Sequence, residues 1–377
     1  MRGSVSLSPL MRGLIVMVVA VLLLAAGATA SPRNEKSKRS TLQAQMDALV
    51  ATGVPGVVVL VHDKSGTLRL ASGHSNLAQK TPMRVTDRFR VGSITKSFVA
   101  TVVLQLVGEG KLSLDETVDH WLPGAVPNGK TITLRQLLGH RSGLYDYLSD
   151  PRVLKPYLAG NFGYTWTPRR LVAVSASHKP LFAPGAKYSY SNTNYILLGL
   201  IVEKATGNPI GAELKRRIFA PLQLRSTSLD TSPRMRPPYA HGYLIQGKEL
   251  EDVTAVSPSY AWTAGAIVSS ADDLARFYRA LLGGRLLSAD ELRAMETPKD
   301  DYGLGLARAR LPQTWGCRGA RWGHDGAIAA YNSTALNSKD GKQQAVILVN
   351  SLTLDDKVGD AQSQQALVRL FKTALCD

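Results

Sequence analysis

The sequence predicts an α/β protein: one antiparallel sheet built from both chain ends and flanked by helices, with an inserted, mainly helical region between the two halves. Three observations predict it. β-branched runs with turn signals fall early, the middle alternates short helical patterns with Pro and Gly breaks, and strand signals return before a last helix. At 377 residues, 44% hydrophobic and 20% charged, the chain can bury a sizeable core.

The elements follow in order. Arg2 and Arg12 precede an unbroken apolar stretch, Leu14 to Ala26, and Ala28-Thr29-Ala30 supplies small residues at a cleavage position. A charged start, short apolar middle and A-x-A end predict a secretory signal peptide over 1–30 and a secreted protein. The stretch is shorter than the ~20 residues a spanning helix needs, so no stable membrane anchor is expected. Met1-Arg2-Gly3 recurs as Met11-Arg12-Gly13, and either methionine suits as a start.

Residues 31–41, polar and basic, read as a linker, and Leu42 to Ala51 as a helix. Gly56 to His62 and Thr67 to Ala71, joined by Asp63-Lys64-Ser65-Gly66, read as a hairpin. Ile94 to Glu109 has helical periodicity and stops at Gly110. The α/β domain is expected from 42–120 and 261–377, and the helical domain from 121–260, with helices at Leu134 to Leu138 and Ile196 to Ala205. Ala327 to Ala335 and Gln344 to Asn350 read as strands around the turn Ser338-Lys339-Asp340-Gly341, and a helix from Asp360 to Leu375 closes the chain.

Composition narrows the function classes. The formal charge of +16 favours anionic polymers of the cell envelope by a salt-screened attraction, although most of it is ordinary surface solvation. The basic residues are dispersed without interleaved aromatics, so no nucleic-acid partner is expected. Cys317 and Cys376, the only cysteines, predict one disulfide in an exported chain. No metal-ligand cluster or phosphate loop is evident, and no cofactor is expected. G-x-S-x-G and H-E-x-x-H are absent, against an α/β-hydrolase or a zinc peptidase. A monomer is expected.

Ser93 and Lys96 stand three apart at a helix start, in Val91-Gly92-Ser93-Ile94-Thr95-Lys96, the only S-x-x-K in the chain. That spacing brings both side chains onto one face. A serine hydroxyl needs an adjacent base, and a lysine serves if burial and the positive helix end strip its charge. Tyr190 and Asn192, on a polar turn, offer a proton relay and an amide ligand. His324-Asp325-Gly326, ahead of the expected strand at Ala327, offers a cation or proton carrier, and Gly326 admits close approach to the strand edge. The N–H groups of Ala327 and Ser93 are a candidate oxyanion hole. Each signal alone is weak: most S-x-x-K sites are exposed helix surface, and a lone His-Asp-Gly is usually a turn.

In fixed order the three are specific. With Asp87-Arg88-Phe89-Arg90 before the first, Leu137 to Leu144, Ala264 to Ser270 and Tyr302-Gly303-Leu304-Gly305, the chain resembles the serine penicillin-recognising enzymes from about Leu42 to Cys376. Within them it is similar to the soluble D-Ala-D-Ala carboxypeptidase/transpeptidase of the class C β-lactamase-like family. The resemblance implies a β-lactamase/transpeptidase-like fold, Ser93 as acylated nucleophile, Lys96 as its partner, Tyr190 as acid/base, Asn192 as substrate ligand, His324 in place of a more usual lysine, and a Cys317–Cys376 disulfide. It also implies peptidoglycan stem peptides, or other D-amino-acid-containing substrates, and β-lactams as partners. His140 reads as structural.

Two departures bear on the leaving group. Asp325 stands where such relatives carry a hydroxyl residue, and an anion there repels a terminal carboxylate. The arginine expected after Tyr302-Gly303-Leu304-Gly305-Leu306 is displaced, since Ala307 follows directly; Arg308 and Arg310 are the candidates to bind the substrate instead. The leading expectation is a D-Ala-D-Ala carboxypeptidase, with a D-amino-acid peptidase or amidase, a β-lactamase and an esterase as alternatives on the same nucleophile. An idle wall-binding or penicillin-sensing protein is the reading an intact Ser93, Lys96, Tyr190 and Asn192 opposes.

Overall fold

The computed structural model describes residues 32–246, 249–311, 317, 319–353 and 361–376; the expected signal peptide lies outside them. A seven-stranded sheet organises the molecule. Its strands are β1 (Gly56–Asp63), β2 (Gly66–Asn76), β3 (Thr81–Pro82), β4 (Ala307–Ala309), β5 (Arg321–Ile328), β6 (Tyr331–Asn337) and β7 (Gln344–Val349). They lie in the order β3-β2-β1-β7-β6-β5-β4 with every neighbouring pair antiparallel, so β1 meets β7 and the two chain ends share one sheet.

Strand alternation sorts the core into two layers. Val57, Val59 and Val61 of β1 face Leu42, Met46 and Leu49 of helix α1 (Pro32–Ala51) and Leu370 of the last helix, Ala361–Cys376. Val58 and Leu60, with Val346 and Leu348, face a second core. That core includes Phe98 of helix α2 (Thr95–Gly108), stacked at 3.6 Å on Phe277 of helix Ala271–Leu282. The sheet thus presses α2 from one side. Cys317 and Cys376 form a disulfide that ties the last helix to the body.

Three expectations change. Residues 32–41 are the first half of α1, not a linker: Glu35, Lys36, Lys38 and Arg39 are good helix formers, and Lys38 pairs with Asp63 at 2.9 Å. The expected strand from Ala327 to Ala335 is two strands, β5 and β6, turning at Ala329 and Ala330 with φ of +39° and +68°. A two-residue hairpin turn demands positive φ and usually recruits Asn or Gly, and two alanines carry no such signal. His324-Asp325-Gly326 therefore lies inside β5 rather than ahead of a strand. Finally, residues 121–260 hold helices and also strands: Ser228–Leu229 pairs with Ile267–Ser269, which pairs with Phe89–Arg90 in a second, small sheet.

Candidate active site

The stretch before the serine is held from both sides. The Val91 N–H donates to the Ile267 carbonyl at 2.9 Å, and the Val91 carbonyl accepts from the Ser333 hydroxyl of β6 at 2.8 Å. Gly92 has φ of +51°, and a Cβ there would lie 2.7 Å from the Ala327 nitrogen, so the turn accepts only glycine. Ser93 follows in a single 3-10 turn, partly exposed, and α2 begins two residues on.

Lys96, in the first turn of α2, is fully buried. Its Nζ lies 2.9 Å from Ser93 Oγ, 2.8 Å from Asn192 Oδ1 and 2.7 Å from the Ala264 carbonyl. Burial brings its pKa down to about 7; the carboxylates of Asp146 and Asp325 oppose that fall. The neutral amine therefore coexists with the ammonium near neutrality. With its two N–H groups on Asn192 and Ala264, the lone pair faces the Ser93 hydroxyl, which is the geometry of a general base.

Asn192, at the start of helix Asn192–Thr206, is committed through both ends of its amide: Oδ1 to Lys96, and Nδ2 to Asp146 Oδ2 at 2.9 Å. Its first task is to orient Lys96, with one amide hydrogen left for a substrate. Burial raises the Asp146 pKa, against the pull of its hydrogen bonds and of Lys96. Burial holds the Tyr190 phenol well above the ordinary value, outweighing the nearby Ser93 hydroxyl, which favours its ionisation. It is thus a resting acid, not a base. Its ring stacks on His140 at 4.1 Å.

His140 is buried and accepts at Nδ1 from the Ser191 N–H at 3.1 Å, so its proton sits on Nε2; burial keeps it neutral. It supports Tyr190 by packing, in keeping with its structural reading. His324, 3% exposed, has Nδ1 2.5 Å from the Asp325 carbonyl and Nε2 2.9 Å from the Tyr302 hydroxyl. Nδ1 therefore carries the proton and Tyr302 donates to Nε2. Burial lowers its pKa to about 4, so of the two roles expected here, cation or proton carrier, the neutral imidazole removes the first and leaves the second open.

β5 completes the pocket. The turn at Ala329-Ala330 makes Ile328 and Tyr331 a hydrogen-bonded pair, so by alternation the Ala327 N–H points away from β6. That free edge meets the Ser93 turn, since a Cβ on Gly326 would lie 2.8 Å from the Ser93 nitrogen and 2.2 Å from the Val91 carbonyl. The N–H groups of Ser93 and Ala327 thus lie beside the Ser93 hydroxyl, where an oxyanion hole would need them. The Asp325 side chain is 85% exposed at this edge.

Arg308 and Arg310 do not reach the site. Both bind Asp301, Arg308 at 2.6 Å and Arg310 at 2.9 Å, which corrects their assignment to substrate. Asp146, the Ala264 carbonyl and Tyr302 are functional neighbours for which the sequence offers no role. The last two stand inside motifs already quoted; Asp146, two residues past Leu144, carried no signal of its own.

The family model described as Beta-lactamase matches residues 39–369. The chain belongs to that family. It is 30% identical to penicillin-binding protein 4 of Amycolatopsis lactamdurans over 315 residues, 79% of this chain and 78% of that protein. A D-stereospecific amidohydrolase from Streptomyces sp. shares its fold with a TM-score of 0.78 and 39% identity, over 88% of this chain and 98% of that one. The D-amino acid amidase of Ochrobactrum anthropi SV3, complexed with L-phenylalanine amide, gives 0.78 and 30% over 89% and 98%. This Beta-lactamase family member is a serine hydrolase with the fold of the serine penicillin-recognising enzymes.

Proposed function

We propose that the chain hydrolyses D-aminoacyl amides through an acyl-enzyme on Ser93. One observation carries this reading over the carboxypeptidase one. A substrate ending in a free carboxylate needs a cation beyond the scissile bond. Here the strand edge instead offers the exposed Asp325, while Arg308 and Arg310 are bound to Asp301 and His324 is neutral. A neutral amide meets no such repulsion. The two amide-hydrolase structures described above support the same choice.

The steps follow from the geometry. The Lys96 lone pair takes the Ser93 proton as Oγ bonds to the substrate carbonyl, and the oxyanion takes the N–H groups of Ser93 and Ala327. The Tyr190 phenol protonates the departing nitrogen as the C–N bond breaks. The Lys96 ammonium, 4.8 Å from the centre of the tyrosine ring, neutralises the phenolate. Water then cleaves the ester by the reverse proton path. Export is part of the proposal: the disulfide supports an oxidising compartment.

The test offers purified protein a D-phenylalanine amide, a D-Ala-D-Ala peptide and a short ester, beside Ser93→Ala. Faster turnover of the amide than of the peptide, lost in the variant, is expected. Preference for D-Ala-D-Ala restores the carboxypeptidase reading, and activity surviving in Ser93→Ala removes the mechanism altogether.

A further inference from the structure

A cleft of about 790 Å³ opens beside the second, small sheet, walled by Ser228–Leu229 and by the turn Lys215–Phe219. Four exposed cations line it: Lys215, Arg225, Arg234 and Arg236. No ion pair holds any of them among the described residues, whereas Arg216 and Arg217 next door are taken up by Glu213 and Glu109. Asp230 is the only carboxylate in the lining, and it accepts from the Ser232 N–H at 2.9 Å.

A fifth positive charge lies behind the wall. Arg90 is 1% exposed, and its Nη2 donates to the carbonyls of Ser232 and Pro233 at 3.2 and 3.1 Å. Among the described residues its Nε and Nη1 have no hydrogen-bond partner. Five cations against one carboxylate, around a concave low-dielectric wall, focus a positive field into the cleft. Guanidinium groups suit phosphate oxygens through paired N–H bonds. The single lining aromatic, Phe219, is 6% exposed, so stacked bases find no platform.

We propose that this cleft binds an extended phosphodiester polyanion without bases, a polyol-phosphate chain, independently of the hydrolase site. Such a contact holds the enzyme on a phosphate-bearing surface while Ser93 works on small amides.

The test measures binding of a fluorescent poly(glycerol phosphate) chain against salt concentration. The protein with Lys215, Arg225, Arg234 and Arg236 all changed to Gln is compared with a charge-matched control changed at Lys130, Lys155, Lys179 and Lys204. The cleft variant is expected to lose about 3 from the slope of log affinity against log salt, at ~0.7 per phosphate contact, and at least ~10-fold in affinity at low salt. The control is expected to retain most of both, and amide hydrolysis is unchanged in either. Equal losses in the two variants, no binding of poly(glycerol phosphate), or single-stranded DNA or polyglutamate binding as tightly with the same dependence on the four cations, overturns the proposal.

Discussion

Replacing Asp146 by Asn is expected to move catalysis toward acid rather than simply weaken it. The Asp146 carboxylate reaches Lys96 through the Asn192 amide, by bonds of 2.9 and 2.8 Å. Two such bonds on either side of one amide group separate the charges by roughly 6–7 Å. At an effective dielectric of about 20, that attraction is about 2.5 kcal/mol in favour of the ammonium. At about 1.4 kcal/mol per pH unit, losing it lowers the Lys96 pKa by about one to two units. The acid limb of kcat/KM, centred near the Lys96 pKa of about 7 in the native enzyme, therefore shifts to lower pH. The plateau falls severalfold, since a weaker base removes the Ser93 proton less well. The assay is a pH–rate profile of D-aminoacyl amide hydrolysis, repeated with the rate of penicillin acylation, where the C–N bond also breaks but the leaving nitrogen stays tethered to the adduct. A limb that stays in place while the whole profile drops, or one that moves upward, refutes the reasoning.

Gly326→Ala is expected to lower kcat ~10²–10³-fold with the protein still folded, because the new Cβ pushes the Ser93 and Ala327 donors apart; amide kinetics with a circular dichroism control checks it. Replacing Cys317 and Cys376 by Ser is expected to cost about 4 kcal/mol on a chain-entropy estimate for a separation of 59 residues, read from denaturant unfolding under non-reducing conditions. The stability difference between native protein and Lys96→Met is expected to change with pH in a set direction. The unfolded chain keeps the lysine proton to about 10.5 and the folded one releases it near 7, so between those values the unfolded state binds more protons. Raising the pH through that window therefore favours the folded native protein, by up to about 5 kcal/mol relative to the methionine variant, and paired melting curves from pH 6 to 10 test it.

The sheet was legible because its strands declare themselves: β1 and β7 are apolar runs bounded by Gly, Asp and Ser turns, and their pairing follows once both ends show strand character. The β5–β6 hairpin was not, because Ala329 and Ala330 adopt positive φ that only the surrounding sheet enforces. The basic start of α1 read as solvated chain because its apolar anchors, Leu42, Met46 and Leu49, lie entirely in the second half. In the site, Ser93, Lys96 and Tyr190 were legible from local spacing. The state of His324 was not, since its charge depends on burial and on Tyr302, 22 residues away. Asp146 escaped notice for the same reason: it acts through Asn192, and nothing local to either residue announces the other. Arg308 and Arg310 illustrate the converse. A basic residue near the right motif is no ligand when a nearer carboxylate, Asp301, already holds it.

The charge of one amine underlies the whole account, and it can be observed without any substrate. Protein with its lysines carrying ¹³C at Cε, prepared as Ser93→Ala to keep the site free of reaction, is titrated by NMR from pH 5 to 11. One resonance, missing from Lys96→Met, is predicted to titrate near pH 7 while the others move near the ordinary lysine value. If every lysine signal holds its charge past pH 9, Ser93 has no neutral amine beside it and the mechanism is contradicted.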